Sequence, residues 1–162
     1  MLHNEPSLSR PAHEGLAAWR TFLESAFALI DILDAELQAE RAISIRWYDA
    51  LVHLEGAEDG LRMNELAGRI LASKSGLTRV VDRMAQAGLV RRERPAGDRR
   101  VVQVFITPEG LEVLRAARGI HHRGIQEHFL QHLGSSDLDA LTRALAGVRA
   151  HVRPLRPGRV SG

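Results

Sequence analysis

Apolar residues recur at steps of three and four along the first part of the chain, from residue 14 onward. Seven positions form one stripe: Leu16, Trp19, Leu23, Phe27, Ile30, Leu33 and Leu37. This spacing is typical of a long amphipathic helix, and such a stripe needs a partner surface along its length. A similar pattern returns between residues 108 and 148, where it predicts two further amphipathic helices separated near Gly134. Thr107 is expected to cap the first of them, with Pro108 in its first turn, while Gly119 and Gly124 are expected to weaken its middle.

The middle of the chain predicts shorter elements. Ser44 is a suitable N-cap for a helix that ends at Gly56, and residues 61–62 are expected to form a very short strand. A short helix is predicted over residues 63–70. A second helix follows over residues 74–87, after a tight connection.

The second helix of this pair has local signals at both ends. Ser73 precedes it as an N-cap, and Gly88 follows it where a left-handed residue commonly ends a helix. Two extended runs, 89–94 and 101–107, are joined by the segment PAGDRR, whose Pro, Gly and Asp favour a turn. Helix, turn, helix and β-hairpin in this order predict a winged helix-turn-helix.

Composition excludes several classes of function. The chain has no cysteine, which excludes disulfides, thiolate chemistry and cysteine-based zinc sites. No stretch offers the roughly 18 apolar residues of a membrane span, and the polar N-terminus lacks the apolar core of a signal peptide. We therefore expect a cytoplasmic protein with no membrane partner. Because no Gly-rich phosphate loop, nucleophile–base pair or metal triad is evident, we also expect no enzyme, cofactor or metal.

Charge is sorted along the chain. Residues 62–100 hold 10 basic and 4 acidic side chains, a net charge of +6, whereas the remainder carries a net charge of −4. A basic segment embedded in a fold attracts phosphates. By charge alone, a solvated surface with scattered ion pairs is an equally good interpretation.

The helix predicted at 74–87 has two unlike faces. One face is apolar and carries Leu77, Val80, Val81 and Met84. The other offers hydroxyl and cationic side chains that suit a major groove, namely Lys74, Ser75, Thr78, Arg79 and Arg83. The alternative is an ordinary amphipathic helix with a polar outer face.

The predicted hairpin loop is also basic. Arg99 and Arg100 lie at its tip, and arginine favours the narrow, strongly negative minor groove. Asp98 is suited to pairing with an arginine and so to bracing the loop. A solvated basic turn is the alternative interpretation.

The stretch ELAGRILASKSGLTRVVDRMAQAGLVRRERPAGDRRVVQVFITPEG resembles the core of the MarR family of bacterial transcriptional regulators. The specific parts are SGLTRVVDRM, AGLVRR, the DRR of the wing and the Thr-Pro-Glu-Gly exit. The resemblance covers residues 44–115. It implies a mainly α fold with a small β-hairpin wing, in which the N- and C-terminal helices form a dimerisation region.

The resemblance also assigns roles to residues. Ser73 to Arg83 would be the recognition helix, Arg100 the minor-groove contact, Arg99 a second contact and Asp98 the brace of the wing. The partner would be double-stranded DNA, read by a homodimer. Two DNA-binding domains related by a two-fold axis imply a pseudo-palindromic operator with half-sites about one helical turn apart.

The implied organisation has five parts. Residues 1–13 are a flexible arm, and residues 44–107 are the DNA-binding domain. The helical dimerisation region comprises residues 14–43 and 108–152, and residues 153–162 are a disordered tail.

Members of the family commonly bind small phenolic or anionic molecules between the dimer arms and the DNA-binding lobe. This implies a repressor that such a ligand releases from DNA. The candidate effector-binding residues are Trp19, Arg20, Trp47, Tyr48 and His53, although Trp19 and Trp47 also fit core or dimer packing. A winged-helix adaptor that binds proteins instead of DNA is the alternative function.

Four histidines crowd the helix predicted after residue 108: His121, His122, His128 and His132. His128 and His132 are four residues apart and would share a helix face, as zinc ligands can. With no cysteine available, we interpret the group as polar residues of a dimer interface, where they would make the dimer pH-sensitive.

Overall fold

The computed structural model describes the main chain of residues 10–70, 74–94 and 101–152, and the side chains of residues 14–70, 76–94 and 101–152. The described helices are α1 (Arg10–Arg41), α2 (Ile45–Glu55), α3 (Met63–Arg69), α4 (Lys74–Gln86), α5 (Pro108–His128) and α6 (Ser135–Val152). The described strands are β1 (Leu61–Arg62), β2 (Val90–Glu93) and β3 (Gln103–Ile106). A 3-10 turn, Leu130–His132, separates α5 from α6.

The three strands form one antiparallel sheet in the order β1-β3-β2. In the hairpin of β2 and β3, Val90 is opposite Ile106 and Glu93 is opposite Gln103. Strand β1 pairs with the other edge of β3. Helices α3 and α4 precede this hairpin, so the mainly α fold with a winged helix-turn-helix is confirmed.

Local signals explain where α2 begins and where α4 ends. The Ser44 Oγ accepts a hydrogen bond from the N–H of Trp47 at 3.3 Å, which caps α2 as predicted. Gly88 has a φ of 75°, and the N–H of Leu89 donates to the carbonyl of Met84 at 2.9 Å. This is a Schellman motif, which favours glycine because a side chain is strained at positive φ.

Thr107 connects three elements. Its Oγ1 accepts from the N–H of Gly110 at 3.0 Å and so caps α5, with Pro108 in the first turn as predicted. The same hydroxyl donates to the carbonyl of Gly88 at 2.6 Å, and the N–H of Thr107 donates to the carbonyl of Leu89 at 3.1 Å. Thr107 therefore fixes the end of α4, the residue before β2 and the start of α5 relative to one another.

The core lies where α2, α3, α4 and the sheet meet, and it continues between α1 and α5. Its fully buried side chains include Leu37, Leu51, Leu66, Val81, Met84, Val104 and Leu114. On α4 the predicted apolar face is buried at Leu77, Val81 and Met84, whereas Val80 is half-buried.

Two details of the long helices differ from the sequence prediction. Helix α1 begins at Arg10, not at Glu14, so the last residues of the predicted arm are helical. Pro11 fits there because the N–H groups of a first helical turn have no intrahelical partner. The predicted boundaries from α2 to β3 lie within two residues of the observed ones, whereas α5 ends at His128, before the break predicted near Gly134. Residues 1–9 and the predicted tail, 153–162, lie outside the described residues.

Helix α5 is continuous through Gly119 and Gly124, which were expected to weaken its middle. The reason is visible at Gly124, which is buried. A Cβ atom there would lie 2.5 Å from Leu33 Cδ2 on α1. The missing side chain therefore allows α5 to pack closely against α1, and tertiary packing overrides the low helix propensity of glycine.

The apolar stripe of α1 is divided between two environments. Leu33 and Leu37 are buried, whereas Leu16, Trp19 and Phe27 are 51%, 55% and 63% exposed. No residue of α6 is buried. A largely apolar cleft of about 570 Å³ separates the exposed end of α1 from α6, and its lining includes Trp19, Phe22, Leu145, Val148 and Val152. None of the described helices is long and apolar enough to cross a membrane.

Candidate nucleic-acid interface

Helix α4 turns a polar face away from the core. Thr78, Arg79 and Arg83 are exposed, while Leu77 and Val81 hold the opposite face in the core. Contacts with α2, α3 and β2 support the buried side of the helix. The packing therefore presents a hydroxyl and two guanidinium groups on one outward surface, as the sequence predicts.

Several of the predicted site residues lie outside the described part of the chain. These are Ser73 and the three residues of the wing loop, Asp98, Arg99 and Arg100. Lys74 and Ser75 lie in the first turn of α4, but their side chains are not among those described. The roles assigned to these residues stay predictions.

An ion pair joins the wing to α4. The Arg92 Nη1 on β2 lies 2.5 Å from Asp82 Oδ1 on α4, and its Nη2 donates to the carbonyl oxygen of Thr78 at 3.4 Å. Arg92 thus bridges two successive turns of the helix. Its guanidinium is committed to an internal partner, and it attaches strand β2 to α4.

The neighbouring arginine of β2 also has internal partners. The Arg91 guanidinium lies 4.2 Å from the centroid of the Phe105 ring, a cation–π contact, and it pairs with Glu93. By contrast, Arg79 and Arg83 have no carboxylate partner among the described residues. The positive charge of the basic segment is therefore divided between structural arginines and arginines that are available to phosphates.

The candidate effector residues on α1 and at the start of α2 do not line a common pocket. Trp19 lines the cleft between α1 and α6, whereas Trp47 lines a different cleft beside α4. Arg20 is exposed on α1. The exposed Trp19 fits the alternative of dimer packing, and the half-buried Trp47 packs against the core.

The other two candidates, Tyr48 and His53, lie further along α2. Tyr48 is buried, and its ring centroid lies 4.5 Å from that of His121 on α5. Burial raises the pKa of the Tyr48 hydroxyl, against the opposing effect of the Arg118 charge. His53 is partly exposed, and its Nε2 lies 3.6 Å from Asp49 Oδ1.

Two histidines of the cluster, His128 and His132, lie in different elements. His128 is the last residue of α5, while His132 lies in the 3-10 turn, because the helix ends at Phe129 with φ −131° and ψ −62°. The prediction that these two histidines share a helix face is therefore wrong. The His128 Nε2 lies 2.7 Å from Glu36 Oε1 on α1. Within the described ranges, no three potential ligands are grouped so as to hold a metal ion.

His121 is a partly buried member of the cluster. Burial lowers the pKa of its imidazole, and the neighbouring His122 lowers it further. Among the described residues, its Nδ1 has no hydrogen-bond partner although the atom is buried. The neutral imidazole is therefore the favoured form in the folded chain at neutral pH.

Comparison with known proteins identifies the same fold and the same segment. The sequence model of the MarR family matches residues 43–101. The HTH-type transcriptional regulator PecS of Dickeya dadantii (strain 3937) is 29% identical over 129 residues, which cover 78% of this chain and 70% of PecS.

Two solved structures from Streptomyces coelicolor are similar over almost their whole length. AbsC, a MarR family transcriptional regulator, is 34% identical, with a TM-score of 0.80 and coverage of 93% of this chain and 99% of AbsC. Sco3205, a MarR family regulator solved in complex with DNA, is 30% identical, with a TM-score of 0.79 and coverage of 93% and 95%. These relatives are regulators of transcription and not enzymes, in agreement with the sequence prediction. Sequence identity, the family match and the shared fold agree, and this chain belongs to the MarR family of transcriptional regulators.

Proposed function

We propose that this regulator is a homodimeric repressor that reads a pseudo-palindromic operator and leaves it when a small ligand binds. The observation that carries the DNA-reading part is the outward face of α4. Thr78, Arg79 and Arg83 are exposed there. Hydroxyl and guanidinium groups match the base edges and phosphates of a major groove.

The ends of this reading surface complete the proposal. Ser73, Lys74 and Ser75 would contact DNA from the start of the recognition helix. Arg100, with Arg99 as a second contact, would enter the minor groove, and Asp98 would brace the wing. The Arg92 bridge supports this assignment because it attaches β2, the strand that leads to the wing loop, to α4.

The exposed apolar side chains of the terminal helices support a homodimer. They are Leu16, Trp19, Phe22, Phe27, Ile30, Ile32, Val148 and Val152. Four of them, Trp19, Phe22, Val148 and Val152, line one apolar cleft, and an exposed apolar patch commonly marks an interface. A second copy of α1 and α6 would cover it. In this proposal residues 14–43 and 108–152 form the dimerisation region, and residues 44–107 form the DNA-binding domain.

The ligand in this proposal is a small phenolic or anionic molecule that binds between the arms and the DNA-binding lobe. Trp19, Arg20, Trp47, Tyr48 and His53 remain its candidate contacts. Binding would change the distance between the two DNA-binding domains. Because the two sites are coupled, ligand and DNA must weaken each other by the same factor. A repressor of chromosomal genes acts in the cytoplasm.

The DNA-reading part is tested by selecting genomic fragments with purified protein and then measuring duplex affinity at several salt concentrations. We expect Arg79→Ala and Arg100→Ala each to lower operator affinity by about tenfold or more and to flatten the salt dependence. Arg143→Ala, at an exposed position of α6, is the matched control and should change neither. A wild-type protein that ignores duplexes even at low salt would favour the adaptor function instead.

The regulatory part needs two measurements with the selected operator. A substituted phenol or hydroxybenzoate should lower operator affinity, and operator should lower ligand affinity by the same factor. Transcription from a promoter that contains the operator should fall when the protein is added and recover with ligand. An increase on adding the protein would identify an activator and contradict repression.

A further inference from the structure

A second basic feature lies beside the outward face of α4, where the first turn of α2 approaches it. The two helices border a cleft of about 330 Å³, whose lining includes Ser44, Arg46, Trp47, Gly76, Arg79 and Arg83. The sequence analysis did not select Arg46. This cleft continues the surface that carries Arg79 and Arg83 and extends it onto α2.

The side chain of Arg46 extends to the start of α4, beside Gly76. A Cβ atom at Gly76 would lie 3.9 Å from the Arg46 Nη1, within ordinary van der Waals contact. Arg46 is exposed and makes no ion pair within the described part of the chain. The exposed face of the cleft therefore gathers three guanidinium groups, and no carboxylate is among its lining residues.

The guanidinium groups, rather than the helix N-terminus, give the cleft its affinity for anions. The N–H of Ile45 already donates to Asp34 Oδ1 at 2.6 Å, and the N–H of Trp47 already donates to Ser44 Oγ. Three like charges in one cleft repel one another, and an oxyanion between them removes that cost. Guanidinium also matches the geometry of phosphate oxygens through paired N–H donors.

We propose that Arg46 is a DNA-backbone contact, and that this cleft seats a phosphate of the strand that flanks α4 in the major groove. The inference rests on the proposed reading of DNA by α4. A duplex that meets Arg79 and Arg83 brings a continuous row of phosphates to the same surface. A phosphate contact positions the protein and carries no sequence information. Arg46 thus contributes affinity and register, while the selectivity lies on α4.

The test measures duplex affinity of wild type, Arg46→Ala and Arg46→Lys at several salt concentrations, on the operator and on a scrambled duplex. We expect Arg46→Ala to lose about fivefold to tenfold in affinity on both duplexes and to reduce the salt slope by about one. Arg46→Lys keeps the charge and should retain most of the affinity. Arg143→Ala is again the matched control, and circular dichroism checks that each variant is folded.

Neutral methylphosphonate linkages, placed one at a time along the duplex, identify the phosphate itself. At one position the substitution should weaken wild type to the level of Arg46→Ala and leave that variant unchanged. Unaltered DNA binding by Arg46→Ala would overturn the inference. So would a loss confined to the operator, or normal DNA binding with a lost response to anionic ligands, which would make the cleft an effector site. If wild type bound no duplex, the proposed function would fail as well.

Discussion

The DNA-binding lobe (residues 44–107) and the helical arms (residues 14–43 and 108–152) contain the same kinds of apolar side chain. They differ in how much of this apolar surface is buried within one chain. Fourteen of the twenty buried apolar side chains in the described part of the chain lie in residues 44–107. The arms hold the other six, on α1, at Ile43 and on α5, and α6 buries none. The lobe is closed by its own packing, a strand ladder and the Arg92 bridge. The arms leave much of their apolar surface exposed.

An apolar stripe in a sequence therefore does not by itself predict whether its residues are buried within the same chain or exposed. The stripe of α1 is continuous in sequence from Leu16 to Leu37, yet only its last part is buried within the chain. Leu33 and Leu37 meet α5, whereas Trp19 and Phe27 face outward. The same pattern is thus buried in the core at one end of the helix and exposed at the other, where we propose the dimer interface.

The largest expected effect separates the two ends of α1. Leu37→Ala should lower the free energy of unfolding by about 3 kcal/mol, because a fully buried leucine leaves a cavity. Phe27→Ala should act chiefly on the dissociation constant of the dimer, because this ring is 63% exposed in one copy. Urea denaturation at several protein concentrations and sedimentation equilibrium distinguish the two effects.

These two substitutions serve as controls for each other. The loss at Leu37 should persist at every protein concentration, whereas raising the concentration should restore much of the loss at Phe27 by mass action. If Phe27→Ala left self-association unchanged, the arms would not be the dimer interface. If both substitutions lowered the free energy of unfolding equally at every protein concentration, the distinction between the buried and the exposed end of α1 would be wrong.

A smaller effect is expected from the bridge that closes the lobe. Arg92→Ala should lower operator affinity by about tenfold, because it frees the wing and leaves the Asp82 carboxylate unpaired next to the phosphates. Thermal stability should change little, since partly exposed ion pairs contribute at most about 1 kcal/mol. The measurements are duplex affinity and thermal unfolding.

The double variant Arg92→Ala with Asp82→Asn sharpens this prediction. Removing the carboxylate should recover the part of the lost affinity that is due to repulsion. The remaining loss measures the orientation of the wing. Full recovery would show that Arg92 only neutralises Asp82, and unchanged affinity in Arg92→Ala alone would show that the bridge has no role in DNA binding.

The smallest effect concerns His121, where the lobe meets an arm against Tyr48. Folding lowers the pKa of this histidine, so below about pH 6.5 the unfolded chain binds the proton more readily. His121 therefore favours folding less as the pH falls. His121→Phe keeps a ring against Tyr48. Between pH 7.5 and 5.5 the free energy of unfolding should fall less in the variant than in wild type, by a difference of less than about 1 kcal/mol.

Urea midpoints at the two pH values measure this effect, with His132→Phe, at an exposed position, as the matched control. The two other groups that act on the pKa of His121, Asp49 and His122, are unchanged in the variant. An identical pH dependence in wild type and His121→Phe would show that the imidazole contributes nothing to acid sensitivity.

Sequence analysis succeeded where a boundary depends on neighbouring residues. Ser44, Gly88 and Thr107 each act within a few positions of their own place in the chain, and all three cap as predicted. The two faces of α4 follow from a period of 3.6 residues, so its buried and exposed positions were also predictable. The family resemblance added the fold and the order of the elements.

Contacts between elements could not be predicted in the same way. Asp82 and Arg92 are ten residues apart on a helix and a strand, and Arg46 reaches Gly76 across thirty positions. No local motif marks such pairs. The error at His128 and His132 has a related cause, since Phe129 ends α5 between them although the sequence shows no glycine or proline there.

The three hydrogen bonds of Thr107 have a mechanical consequence. They attach Gly88 and Leu89, which follow α4, and the first turn of α5 to one threonine, so relative movement of the two helices at this point strains or breaks these bonds. In the proposed function, a displacement of α5 would therefore be transmitted through Thr107 to the exposed side chains of α4.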